Sequence, residues 1–153
     1  MSPEQELIRA REFSRGLVNL ETPLARSRKA DLFRKADGRR CPTCACTIKY
    51  LKGIKFGHEQ HDAATIEHIN PRKLGGSNEQ WNLTVRCNLC NRASGHAMNE
   101  WLQRHKHDPP WLEKKRMINY LWLEVHDTFR AQELYPDMYA SFLDKRESIS
   151  TGR

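Results

Sequence analysis

The sequence predicts an α+β fold: a two-stranded hairpin and a helix gathered around a four-cysteine zinc site, with helices flanking it on both sides. Three observations predict it. Two C-x-x-C pairs, Cys41 with Cys44 and Cys87 with Cys90, bracket the middle of the chain. Between them, Ala64–Ile69 and Asn82–Arg86 have the β-branched, alternating character of strands, and Pro71 and Gly75-Gly76 mark the loop that joins them. Outside the pairs the texture changes to helix start signals and apolar residues at helical spacing.

The N-terminal stretch reads as two helices. Ser2 can cap the first, with Pro3 at the first helical position and Gln5 placed to reach back. Thr22-Pro23 repeats that signal, and Ala25, Leu32, Phe33 and Ala36 then form a loose apolar face that Gly38 ends. Arg26, Arg34 and Lys35 project away from the face, Arg28 and Lys29 border it, and Arg39 and Arg40 follow its end. In the hairpin, Ile66, Leu83 and Val85 are the inward candidates. After Cys87 the chain is expected to turn helical as far as about His107.

Asp108-Pro109-Pro110 ends that helix and opens another, along which Ile118, Leu121, Trp122, Val125 and Phe129 form an apolar stripe. Such a stripe packs into a core by default; the sharper alternative is a homodimer face. Pro136 opens a last short helix carrying Met138, Tyr139, Phe142 and Leu143, and the tail from Glu147 reads as disordered. The expected organisation is a basic helical arm over 1–40, a core over 41–98, a helical region over 99–146 and a tail over 147–153.

At 153 residues the chain has room for one compact domain. Its formal charge of +7 points to an anionic partner, and nucleic acid fits better than a membrane. No apolar run approaches the roughly 18 residues of a spanning helix. Glu4 and Glu6 stand where a signal peptide would be basic and then apolar, so a cytoplasmic location is expected. The five cysteines are an odd number for a disulfide scaffold.

The cysteine pairs carry the clearest chemistry. Two residues between thiolates let both reach one tetrahedral ion from a tight turn, and two such turns complete a closed structural zinc site of Cys41, Cys44, Cys87 and Cys90. Cys46 stands outside that set. His58-Glu59-Gln60-His61 lacks one residue of the H-E-x-x-H spacing, so a metalloprotease helix is not expected.

Around the pairs lie Thr65-Ile66-Glu67-His68-Ile69-Asn70-Pro71, then Gly75-Gly76, then Trp81-Asn82-Leu83, then Cys87-Asn88-Leu89-Cys90-Asn91. This order resembles the HNH (ββα-metal, or His-Me finger) endonuclease family over about residues 41–98. Histidine, glycines, Asn-Leu and both cysteine knuckles recur in sequence. The resemblance implies metal-dependent hydrolysis of DNA, leaving 5′-phosphate and 3′-hydroxyl ends. It assigns His68 as general base, Glu67 and Asn91 as ligands of a catalytic Mg²⁺ or Mn²⁺, and Asn82 as the brace of the loop carrying His68. The residue types suit the task. Histidine titrates near neutrality, and a hard cation takes carboxylate and amide oxygens.

Two departures stand out. Glu67 occupies a position often held by Asp, and Asn91 one often held by His, which draws the likeness toward members such as recombination endonuclease VII and leaves His96 a poor fallback ligand. Glu67 and His68 are neighbours in an extended segment, so a local twist is needed to bring both to one cleft. Arg26, Arg28, Lys29, Arg34, Lys35, Arg39 and Arg40 are the expected phosphate-binding residues. The rival readings are a zinc-stapled DNA-binding module without catalysis and an adaptor that binds a protein through its C-terminal stripe.

Overall fold

A computed structural model describes residues 5, 33–50, 60–69 and 83–152. The described elements run in the order β1 (Ala64–His68), β2 (Leu83–Cys87), α1 (Asn88–Arg104), α2 (Pro110–His126), α3 (Thr128–Leu134) and α4 (Pro136–Thr151). This is the mixed helix and small-sheet architecture expected. The strands form an antiparallel pair with Ala64 opposite Cys87, Ile66 opposite Val85 and His68 opposite Leu83. Each strand lies within one residue of its expected bounds.

The chain before β1 is tied to the hairpin by its backbone. Phe33–Ala36 is helical, with Ala36 buried, and Gly38 adopts φ +80° where the sequence asks for a helix stop. Gly38 then donates to Ile48 O at 2.8 Å, and Arg40 pairs antiparallel with Thr47. The first cysteine pair thus sits at the tip of a narrow turn. Lys49 bridges in parallel to Ala63, which places this turn beside β1.

α1 begins directly at the end of β2. Two of its first amides are satisfied from the segment leading into β1: Asn88 N–H donates to Ala63 O at 2.8 Å and Leu89 N–H to His61 O at 2.9 Å. Ala93 and Ala97, one turn apart and both fully buried, give α1 a shallow face on which α4 packs closely through Phe142. This core also takes in Ile48, Ala64 and Val85. A second core gathers Ile69, Met98, Met117, Tyr120, Leu121, Val125, Ala131 and Met138 from the hairpin end and all four helices.

The C-terminal half departs from expectation in two places. α2 stops at His126 because Asp127 (φ −155°, ψ 77°) leaves the helix and caps α3, its carboxylate accepting from Arg130 N–H at 3.1 Å. Phe129 therefore falls off the stripe and is 77% exposed; Met117, Tyr120 and Glu124 share the buried face with Leu121 and Val125. The last helix continues to Thr151, past Glu147 where a disordered tail was expected, and ends at Gly152 with φ +76°. Ile149 packs against the first core and accounts for that extension. Among the described residues no helix is long and apolar enough to cross a membrane.

Candidate active site

The four paired cysteines come together. One ligand atom from each of Cys41, Cys44, Cys87 and Cys90 lies within 4.8 Å of the others. The sulfurs of Cys44 and Cys87 are 3.7 Å apart, close to the roughly 3.8 Å edge of a tetrahedron built on Zn–S bonds of about 2.3 Å. The donor set and its spacing therefore fit a metal ion. Local backbone makes this possible: Ala45 N–H donates to Cys41 O at 2.9 Å, Cys41 N–H donates to Cys46 O at 2.7 Å, and Ala45 takes φ +65° to close the turn. The second pair uses the helix start, where Cys87 Sγ caps α1 by accepting from Cys90 N–H at 3.4 Å.

Crowding splits the acidities of these thiols. Cys41 opposes ionisation of Cys44, but hydrogen bonds from Cys46, Cys87 and Cys90 bring it down to about 4. Hydrogen bonds with Cys41, Cys44 and Cys87 hold Cys90 protonated, well above the usual thiol range. Such a set shares protons that a bound cation would displace. Cys46 is not one of the four converging thiols, but it hydrogen-bonds with Cys41, Cys44 and Cys87 while packing half-buried against the core.

Beside this cluster a cleft of about 320 Å³ opens between the hairpin and α1. Glu67 and His68 line it from the end of β1, Asn91, Ser94 and Gly95 from α1, and Leu121 from α2. The neighbours Glu67 and His68 thus reach one cleft, as their expected roles require. Asn91 follows Cys90 directly, so the cysteine turn sets where it stands on α1. Asn82 lies outside the described residues, as do Arg26, Arg28, Lys29 and His58. His96 is exposed and absent from the cleft lining. Arg34, Lys35, Arg39 and Arg40 are all exposed near the first cysteine pair.

Four polar residues give no signal of this kind in the motif order. Arg86 is 1% exposed and is the largest fully buried side chain among the described residues. Its Nε donates to Glu67 Oε1, and its Nη1 donates to Thr43 Oγ1 at 3.1 Å and Glu124 Oε1 at 2.9 Å. Ser94 Oγ donates to the same Glu124 oxygen at 2.5 Å. Burial pushes the Glu67 carboxyl upward while Arg86 opposes that shift. The available signal was charge inside apolar runs: Arg86 between Val85 and Cys87, and Glu124 between Leu123 and Val125.

A second group of ligand types, His105, Asp108 and Glu113, also converges. There Arg116 bonds both carboxylates, at 3.3 and 2.9 Å, and the cluster closes the turn between α1 and α2.

An acid, a histidine and an amide on a strand pair and helix thus line one cleft next to four clustered cysteines. The comparison with known families is specific: residues 57–107, a third of the chain, match the family model for HNH endonuclease. That segment is similar to the HNH endonuclease family, and it holds β1, β2 and α1 together with the cleft lining other than Leu121. No curated protein and no solved structure matches the chain.

Proposed function

We propose that this protein is a metal-dependent endonuclease that hydrolyses DNA phosphodiester bonds. The observation that carries this reading is the convergence of Glu67, His68 and Asn91 on one cleft inside the HNH segment. Hydrolysis needs a base for the attacking water and charge stabilisation at the leaving oxygen. His68 takes the proton from water. Glu67 and Asn91 offer the oxygen donors that suit Mg²⁺ or Mn²⁺, which when bound supplies positive charge to the phosphate and leaving group. Asn82, next in the chain to the β2 partner of His68, braces the loop behind the base. Asn91 in the third position is the feature that favours likeness to recombination endonuclease VII over members with histidine there.

The cysteine cluster holds a structural Zn²⁺ and sets the start of α1, so it fixes Asn91 against the strand end. Arg26, Arg28, Lys29, Arg34, Lys35, Arg39 and Arg40 serve as the phosphate-binding approach.

The direct test is relaxation of supercoiled plasmid with Mg²⁺ or Mn²⁺, for wild type and His68→Ala. Wild type is expected to nick or cut, and loss of the base to slow cleavage by about 10²–10⁴ while binding persists. Full activity in His68→Ala overturns the mechanism. Binding without cleavage by wild type would leave a zinc-stapled DNA-binding module instead.

A further inference from the structure

Glu124 lies on α2, outside the segment that matches the family, and is 0% exposed. Its Oε1 receives hydrogen bonds from Ser94, which lines the cleft, and from Arg86, which also bonds Glu67. Its Oε2 is buried and has no hydrogen-bond partner among the described residues. Two carboxylates thus share one guanidinium, a group that has a net charge of −1 when both carboxyls are ionised.

We propose that Glu124 is a positioning residue for the cleft: by sharing Arg86 with Glu67, it offsets the guanidinium's positive charge and keeps the Glu67 carboxylate able to hold a divalent cation. This rests on reading Glu67 as a metal ligand. Had Arg86 faced Glu67 alone, the pair would be neutral and a cation would compete with a buried guanidinium for the same oxygens. In a water-poor site one elementary charge weighs heavily on a doubly charged ion. Glu124 instead restores the negative balance from a second element. Thr43 steadies the same guanidinium from the cysteine turn, so the charge is fixed in place from three directions. A role confined to packing would leave cation affinity untouched, because glutamine fills nearly the same space as glutamate.

The experiment is Mn²⁺ binding followed by electron paramagnetic resonance on zinc-loaded protein, with zinc content and circular dichroism confirming the fold. Wild type is compared with Glu67→Gln, Glu124→Gln and the double variant Arg86→Gln/Glu124→Gln. Glu124→Gln is expected to weaken Mn²⁺ binding at least about tenfold. The double variant removes one positive and one negative charge, so its affinity returns to within about threefold of wild type. Loss of Mn²⁺ binding in Glu67→Gln upholds the ligand reading on which the proposal stands, and unchanged binding there overturns that reading. With Glu67→Gln impaired, wild-type affinity in Glu124→Gln overturns the role of Glu124 alone. Should Glu124→Gln fail to fold, the double variant decides, because it removes the buried Arg86–Glu124 pair as a unit and leaves Glu67 as the charged member, lining the cleft. A folded double variant that binds about tenfold more weakly than wild type overturns the proposal.

Discussion

Gly95 sits in the middle of α1 at the edge of the cleft, and a Cβ built there would meet nothing within 4 Å. A glycine inside a helix costs roughly 0.5–1 kcal/mol relative to alanine, and no steric demand of the fold requires it. Gly95→Ala is therefore expected to stabilise the protein by about that amount, read as a rise in the midpoint of thermal or urea unfolding. An unchanged or lowered midpoint would show an interaction that the open space conceals. At this scale the sequence was partly legible. Glu67, His68, Asn91 and the four cysteines could be picked out because motif order places them. Arg86 and Glu124 could not, because a buried charge is recognised only once its partner is found, and 38 residues separate these two.

Between elements, the packing of α1 against α4 shows how local signals succeed and fail. Pro136 marked the start of α4, and proline at the first helical turn is a strong punctuation. Its end was missed because Glu147–Thr151 reads as polar until Ile149 finds the core on another element. Likewise the stripe on α2 was extended to Phe129 because periodicity does not register the break made by Asp127. The two helices are also tied by charge: Lys145 Nζ lies 2.9 Å from Glu100 Oε2 and Arg104 Nη2 lies 2.6 Å from Glu100 Oε1. The Lys145 hydrogen bond holds the Glu100 carboxyl below the usual range. A depressed carboxylate stabilises the fold above its unfolded pKa and loses that contribution as pH falls through its folded pKa. Lys145→Ala should lower the melting temperature slightly at neutral pH, and the gap should close in acid as Glu100 takes up its proton. A gap that persists in strong acid would assign the effect to packing of the lysine stem. The tie is solvent-screened, so the shift is small.

For the molecule as a whole, the cysteine cluster adds a further tie between parts already joined by backbone bridges and a shared core. Cys41 and Cys44 belong to the turn beside β1, and Cys87 and Cys90 to the junction of β2 with α1. If a structural zinc links them, Cys90→Ser should unfold the core, whereas Cys46→Ser should keep a full complement of one ion per chain. Metal analysis with circular dichroism checks both, and a folded, zinc-free wild type would discard the ion. The same linkage holds Arg34, Lys35, Arg39 and Arg40 at the hairpin. If they bind phosphate together with Arg26, Arg28 and Lys29, removing each cation–phosphate pair should flatten the slope of log affinity against log salt by about 0.9 on duplex DNA. A multiple-alanine variant with intact zinc content should therefore bind more weakly and with less salt dependence. Identical curves would make these residues ordinary solvated surface.

The arrangement of the two cysteine pairs also imposes an order on the birth of the protein. The first pair leaves the ribosome while the second has yet to be translated, and both strands of the hairpin lie in the interval. If an ion binds the cluster, two thiols make an incomplete site and its capture waits until residue 90 has emerged, while the cleft is complete only once Leu121 of α2 has followed. A nascent chain stalled anywhere short of α1 is then an unclosed polypeptide with no cleft to hold a phosphate. If the cleft is the site of phosphodiester cleavage, such an incomplete copy lacks it.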